Sequence, residues 1–130
     1  MMYLLDTDIL VGLLRAMPEA EKSMNNLKEY GIATSAITLH ELFHGAFKSK
    51  NRDKSLNSVT ELAYSINTLD FDEDCARLSG KLKAETEKAG KYPGELDLMI
   101  AAVALKHSLK LVTRNKKNFE NISGLEIKIW

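Results

Sequence analysis

Short apolar runs alternate along the chain with stretches of helical periodicity, and this alternation most constrains the fold. The apolar runs occupy residues 3–5, 32–35, 66–71, 110–113 and 125–130. Strands that are separated by helices pair in parallel, and the helices then cover both faces of the sheet. The 130 residues are enough for one domain and too few for two ordinary ones. The sequence therefore predicts a single α/β domain over residues 1–130, with three layers.

Helical periodicity fills most of the chain between these runs. Helices are predicted at residues 7–16, from Pro18 to a stop near Gly31, at about 38–48, through 56–63, at 72–89 and at 96–107. Residues 49–54 are polar and basic, and they predict a loop or a helix start. A break with Pro93 and two glycines separates the last two helices.

The composition excludes several classes of protein. The chain is 45% hydrophobic and 28% charged, which is typical of a globular domain with a real core. Eighteen basic residues balance eighteen acidic ones, which argues against a DNA-coating protein. The single cysteine, Cys75, rules out an internal disulfide and is predicted to be a small apolar helix residue. Asp6 and Asp8 interrupt the apolar start, and no run is long enough to span a membrane, so we expect a cytoplasmic protein.

Polar residues follow the predicted strands where a ligand site is expected. Binding sites of parallel sheets form at the carboxyl ends of the strands. Asp6 follows the first strand, Asn115 follows the fourth, and Glu41 is predicted in the first turn of the helix after the second. Asp97 begins a helix that follows a break rather than a strand, so topology alone leaves its position open.

Clustered carboxylates repel one another and stay ionised only beside positive charge. Mg²⁺ commonly binds a few carboxylates together with water and substrate phosphate. A metal held in this way can activate water and orient a phosphodiester, which is the physical case for a nuclease.

Each acidic residue also has a structural interpretation. Thr38-x-x-Glu41 matches a capping box. Asp97 suits a helix N-terminus through the helix dipole, and Asp6 could cap the helix that follows it. Asp8 is predicted to be a solvated residue of a first helical turn.

A zinc-protease pattern overlaps the candidate acid Glu41. Residues 40–44 read His40-Glu41-Leu-Phe-His44, which matches H-E-x-x-H on a predicted helix. Catalytic zinc normally has three protein ligands, and the third histidine of the extended motif is replaced by Lys50. A zinc peptidase therefore remains an alternative, but the sequence predicts no third ligand for its zinc ion.

Four segments, in order, resemble motifs of the PIN-domain family, and more closely the ribonuclease toxins of VapBC-type toxin–antitoxin modules. The segments are YLLDTDIL at 3–10, SAITLHELFHG at 35–45, PGELDLMIAA at 93–102 and LVTRNKKNF at 111–119. The run GLEIKIW at 124–130 is similar to a last edge strand. Together they cover nearly the whole chain.

The resemblance implies a parallel sheet of strand order 3-2-1-4-5, with Asp97 brought to the edge that holds Asp6 and Glu41. It implies Mg²⁺ or Mn²⁺ bound mainly by Asp6 and Asp97, with Glu41 acting directly or through water. Asn115 takes a fourth position that is acidic in many PIN domains, which leaves a second metal open. The residues implied to orient Asp6 and the metal's water molecules are Thr7 and Thr113.

The same resemblance implies an endoribonuclease toxin that forms a homodimer and is inhibited by a cognate antitoxin protein. Arg114 and Lys116 flank Asn115, and therefore the proposed pocket, in the sequence, and they are our candidate contacts to the RNA backbone. Several apolar helix positions could serve an interface or the core: Leu10, Leu13, Leu14, Leu42, Phe43, Ala46 and Phe47. A PIN-like module that binds RNA without cleaving it is the remaining alternative.

Overall fold

The structure, a computed structural model, describes residues 2–130. The strands are β1 (Tyr3–Leu5), β2 (Ile32–Ser35), β3 (Asn67–Leu69), β4 (Lys110–Val112) and β5 (Ile127–Lys128). The helices are α1 (Thr7–Leu14), α2 (Pro18–Leu27), α3 (Ala36–Lys48), α4 (Arg52–Ser65), α5 (Glu73–Lys88), α6 (Glu95–Lys106) and α7 (Lys116–Phe119). All strands pair in parallel in the order β3-β2-β1-β4-β5, as predicted.

The central strand β1 is buried on both faces because its side chains alternate between two core clusters. Leu4 packs into the cluster built mainly from α5, α6 and Phe119, whereas Leu5 packs into the one built from α1 to α4. Helices therefore cover both faces of the sheet, which confirms the three-layer prediction. Cys75 is buried in the first cluster, as predicted for a small apolar helix residue.

Helix α3 begins earlier than predicted, and this changes the interpretation of Glu41. The Ser35 hydroxyl caps the helix by accepting a hydrogen bond from the Thr38 N–H at 3.0 Å. Thr38 is consequently inside the helix, and the capping box predicted for Thr38 and Glu41 is wrong. Glu41 lies in the second turn rather than the first, where its side chain is available for contacts outside the helix.

Smaller differences lie at element ends. Helix α4 starts at Arg52, inside the segment predicted as a loop or helix start, and the short helix α7 was not predicted. Helix α2 ends at Leu27, and a 3-10 turn, Lys28–Tyr30, precedes Gly31. No helix among residues 2–130 is long and apolar enough to cross a membrane.

The apolar positions considered for an interface divide between core and surface. Leu10, Leu42 and Ala46 are buried in the second cluster, so core packing accounts for them. Phe47 keeps 55% of its surface exposed, which core packing does not account for. The partly buried members of the set are Leu13, Leu14 and Phe43.

Gly12 of α1 packs closely against α2 and Trp130. A Cβ atom at this position would lie 2.8 Å from the Ala20 Cβ and 3.3 Å from the Trp130 Cη2. Gly12→Ala should therefore lower the free energy of unfolding by about 1–3 kcal/mol through overpacking. Gly45→Ala is the matched control, because its added methyl meets nothing within 4 Å and should stabilise α3 by up to about 1 kcal/mol. Urea unfolding of both variants checks the prediction, and equal effects of one sign would contradict it.

Candidate active site

An open cavity of about 450 Å³ lies at the carboxyl edge of the sheet. The cavity is lined by Asp6, Thr7, Asp8, Val11, Gly12, Arg15, Met17, Glu41, Asp97, Arg114, Asn115 and Trp130. It brings together all four residues predicted as catalytic. Of the two candidate contacts to the RNA backbone, Arg114 lines the cavity, whereas Lys116 is exposed at the start of α7 and does not.

Asp6 is the most buried acid of the cavity, with 6% of its surface exposed. It directly follows β1, and the Thr113 hydroxyl donates to its Oδ2 at 2.7 Å. Burial raises the pKa of Asp6 to about 7; the hydrogen bond from Thr113 opposes the rise, and repulsion from Asp8 and Asp97 adds to it. Asp6 occupies the N-cap position of α1 without a capping side-chain hydrogen bond, so a cap role does not explain its burial.

Glu41 reaches the cavity from α3 and is held there by the first residue of α1. The Thr7 hydroxyl donates to Glu41 Oε1 at 2.6 Å. Thr7 was predicted to orient Asp6 and the metal's water molecules; its hydroxyl bonds Glu41, and its backbone N–H bonds Asp6. The contact between Thr113 and Asp6 agrees with the orienting role predicted for Thr113.

Asp97 enters the cavity from the first turn of α6. The turn before it contains Gly94 at φ +120°, a backbone conformation that favours glycine. The Asn118 amide donates to Asp97 Oδ2 at 2.8 Å from the short helix α7. Burial raises the pKa of Asp97, opposed by the Asn118 hydrogen bond and reinforced by repulsion from Asp8. Asn115 lines the same cavity, and its N–H donates to the Thr113 hydroxyl oxygen at 3.0 Å.

Asp8 lies in the first turn of α1, as predicted, but it is half-buried and bonded rather than solvated. Its Oδ2 accepts from the Arg114 N–H at 2.8 Å and lies 3.1 Å from the Thr113 hydroxyl. Its Oδ1 accepts from the indole Nε1 of Trp130 at 2.9 Å. Asp8 thus joins α1 to the segments after β4 and β5.

Asn118 and Trp130 are site residues that the sequence analysis did not select. Asn118 lies three positions after Asn115, so one helical turn carries both towards the cavity. That spacing was the available signal for Asn118. Trp130 offered none beyond being the only tryptophan, because its contacts are with residues far away along the chain.

The donor set of the cavity fits a hard divalent cation. Its acids are oxygen ligands, and no lysine or arginine among residues 2–130 forms an ion pair with Asp6, Glu41 or Asp97. In the same residues, no group of three or more His, Cys, Asp or Glu side chains is arranged so that it could hold a metal ion. Mg²⁺ does not need three such ligands, because it keeps several water molecules and binds through one or two carboxylates.

The zinc-protease pattern lacks its third ligand in the structure as well. His40 and His44 are exposed on α3, with nearly parallel rings whose centroids are 6.5 Å apart. Catalytic zinc requires three protein ligands, and the described part of the chain offers no such group around these imidazoles. Glu41, the general base of that pattern, is bonded to Thr7 instead.

The raised pKa of Asp6 predicts how pH affects the stability of the metal-free protein. Between the ordinary carboxyl pKa of 3.8 and about 7, the folded protein holds a proton that the unfolded chain has lost. The contribution of Asp6 to stability therefore falls as pH rises through this range. Asp6→Asn removes that dependence, and each pKa unit is worth about 1.4 kcal/mol. In EDTA, we expect the variant to gain several degrees in Tm over the wild type at pH 8 and much less at pH 5.

The control for this measurement is Asp70→Asn, an exposed aspartate just past the end of β3. The difference in Tm between this variant and the wild type should be the same at pH 5 and at pH 8. A pH-independent Tm difference for Asp6→Asn would contradict the assigned pKa shift.

Comparisons with known proteins agree with this architecture. Residues 3–125 match the PIN-domain family. The chain is 32% identical to the tRNA(fMet)-specific endonuclease VapC of Shigella flexneri over 128 residues, which cover 98% of this chain and 97% of the relative. It is 34% identical to the ribonuclease VapC2 of Rickettsia felis over 134 residues, covering 100% and 98% of the two chains.

Solved structures show the same similarity. The chain superposes on VapBC2 from Rickettsia felis, bound to a promoter DNA fragment, with a TM-score of 0.92, 31% identity and coverage of 100% and 99%. DNA-bound VapBC from Salmonella typhimurium gives a TM-score of 0.92, 33% identity and coverage of 100% and 98%. The chain therefore belongs to the PIN-domain family, and within that family it is of the VapC type.

Proposed function

We propose that the protein is a metal-dependent endoribonuclease and the toxin of a toxin–antitoxin pair. The observation that carries the proposal is the buried Asp6, which shares an open cavity with Glu41 and Asp97 and has no basic ion-pair partner among residues 2–130. The ionised form of such an arrangement is costly unless a cation occupies the cavity. Relatives of similar length are named a tRNA(fMet)-specific endonuclease and a ribonuclease, which supports RNA as the substrate.

The proposed roles follow from the contacts of each acid. Asp6 and Asp97 would hold Mg²⁺ or Mn²⁺, with Glu41 binding directly or through water. When bound, the metal supplies a Lewis acid that lowers the pKa of water and orients a phosphodiester. Thr113 fixes the carboxylate of Asp6, and Thr7 fixes that of Glu41. Asn115 contributes a neutral amide and no negative charge. The charge therefore comes from three carboxylates, which suit one metal ion better than two.

The proposed partners follow from the relatives. Similar solved structures are toxin–antitoxin complexes, including VapBC-1 from Haemophilus influenzae. We therefore propose a cognate antitoxin that binds over the cavity and blocks the access of RNA. We also propose a homodimer, because exposed aromatic side chains such as Phe47 and Tyr64 are available for an interface.

Cleavage tests the proposed nuclease directly. Asp6→Asn and Asp97→Asn should each lower Mg²⁺- or Mn²⁺-dependent cleavage of RNA by about 100-fold or more, because each removes a charged metal ligand. Initiator tRNA is a suitable first substrate, and the products should carry 5′-phosphate and 3′-hydroxyl ends. Gel analysis of end-labelled RNA measures both the rate and the ends.

Asp70→Asn is the control here too, since Asp70 also follows a strand but does not line the cavity. Its activity should equal that of the wild type. Full activity of Asp6→Asn would overturn the metal-site assignment. RNA binding without turnover in any divalent metal would instead favour the inactive RNA-binding module.

The homodimer is tested by light scattering on the purified chain without antitoxin. The expected mass is twice the 14.6 kDa of one chain, since two-fold dimers are the commonest homo-oligomers. A concentration-independent mass of one chain would contradict the proposal.

A further inference from the structure

We propose that Arg114 binds a phosphate of the RNA, and that Trp130 and Asp8 are positioning residues that hold its guanidinium at the rim of the cavity. The inference rests on the proposed function, because it requires RNA to enter the acidic cavity. It adds a specific arrangement of three residues that the nuclease chemistry itself does not use.

The arrangement starts at Asp8, whose two oxygens hold different partners. Oδ1 accepts the indole N–H of Trp130 at 2.9 Å, and Oδ2 accepts the backbone N–H of Arg114 at 2.8 Å. The indole plane and the backbone of Arg114 are thus fixed relative to the same carboxylate. Gly12 leaves room for the indole, because it has no side chain. A Cβ atom at position 12 would lie only 3.3 Å from the Trp130 Cη2.

The side chain of Arg114 is held against the indole by two further contacts. Its guanidinium carbon lies 3.6 Å from the centroid of the Trp130 ring, within the range of a cation–π contact. Its Nε donates to the backbone oxygen of Trp130 at 3.1 Å. The terminal Nη nitrogens make no hydrogen bond or ion pair with the described residues, so their donors are available to a ligand.

The charge around the cavity favours a phosphate as that ligand. The lining includes four acids, namely Asp6, Asp8, Glu41 and Asp97, and only two basic residues. An RNA strand entering such a cavity is repelled unless cations face its phosphates. The two basic residues are Arg15 and Arg114, and only the side chain of Arg114 is held in place. Arg15 makes no side-chain hydrogen bond or ion pair with the described residues. A guanidinium that is already oriented loses less entropy when it binds a phosphate.

Binding of RNA under non-cleaving conditions tests the role of Arg114. The probe is a fluorescein-labelled single-stranded RNA, titrated against the Asp97→Asn protein in Mg²⁺ and followed by anisotropy. Arg114→Gln in that background should weaken binding about tenfold. It should also reduce the slope of log Kd against log salt by about 0.7, the value for one phosphate contact on a single strand. Arg77→Gln, an exposed arginine of α5, is the matched control for loss of one charge.

A double-mutant cycle tests whether Trp130 acts through Arg114. Trp130→Leu should weaken binding by about threefold to tenfold, because the guanidinium is no longer held. Adding it to Arg114→Gln should cost nothing more, whereas a merely structural role of Trp130 would make the two effects additive. If Trp130→Leu does not fold, Trp130→Phe keeps a ring for stacking but loses the N–H bond to Asp8, so it should cause a smaller loss of binding that also vanishes in the Arg114→Gln background.

Fluorescence gives a readout that is independent of affinity, because Trp130 is the only tryptophan. RNA should change its emission in the Asp97→Asn protein and leave it unchanged when Arg114→Gln is added. A persistent change without the arginine would indicate a base stacking on the indole and would overturn the phosphate assignment.

The two proposals fail separately. If the wild type cleaves RNA and Arg114→Gln changes neither binding nor rate, this inference falls and the nuclease remains. If binding depends on Arg114 as described but no RNA is cleaved, the inference stands and the proposed nuclease falls.

Discussion

The pairing of β1 with β4 sets Leu5 opposite Val112, and the hydrogen-bond ladder continues one step further, where the Asp6 N–H donates to the Val112 carbonyl. This register places Thr113 beside Asp6 and therefore decides which hydroxyl meets the buried carboxylate. A slip of one residue would exchange the two faces of the strand and move Leu4 and Leu5 into the wrong core clusters. The packing of both layers thus protects the geometry of the cavity.

Three acids of the cavity each accept a hydrogen bond from a polar side chain of another part of the chain. Thr113 bonds Asp6, Thr7 bonds Glu41, and Asn118 bonds Asp97. These bonds favour the ionised carboxylates, but burial outweighs them and, with a smaller contribution from repulsion, raises the pKa values of Asp6 and Asp97. The metal-free protein therefore favours protonation of these two acids, and a bound cation would stabilise their ionised forms instead.

Local pattern predicted the parallel sheet and the layers, since each strand is a short run whose neighbours are helices, whereas the strand order followed from the resemblance to the PIN-domain family. The position of Asp97 could also have been derived. Helix α6 leads directly into β4, so it runs opposite to the strand and begins at the carboxyl edge. The Glu41 cap was mispredicted because Ser35 and Thr38 both suit an N-cap and only the structure selects between them. The partners of Asp8 and Asn118 could not be predicted, because they depend on side chains brought together by the whole fold.

The bond between Thr113 and Asp6 also bears on how the protein acquires its activity, since 107 positions separate the two residues. The entropy of loop closure is lost before such a distant contact can compensate for it, so non-local strand pairing slows folding. A partly folded chain that has not yet joined β4 to β1 has neither this bond nor the cavity. The chain therefore cannot be active before β4 has paired with β1. Because this pairing is slow, activity appears only some time after the chain has been synthesised.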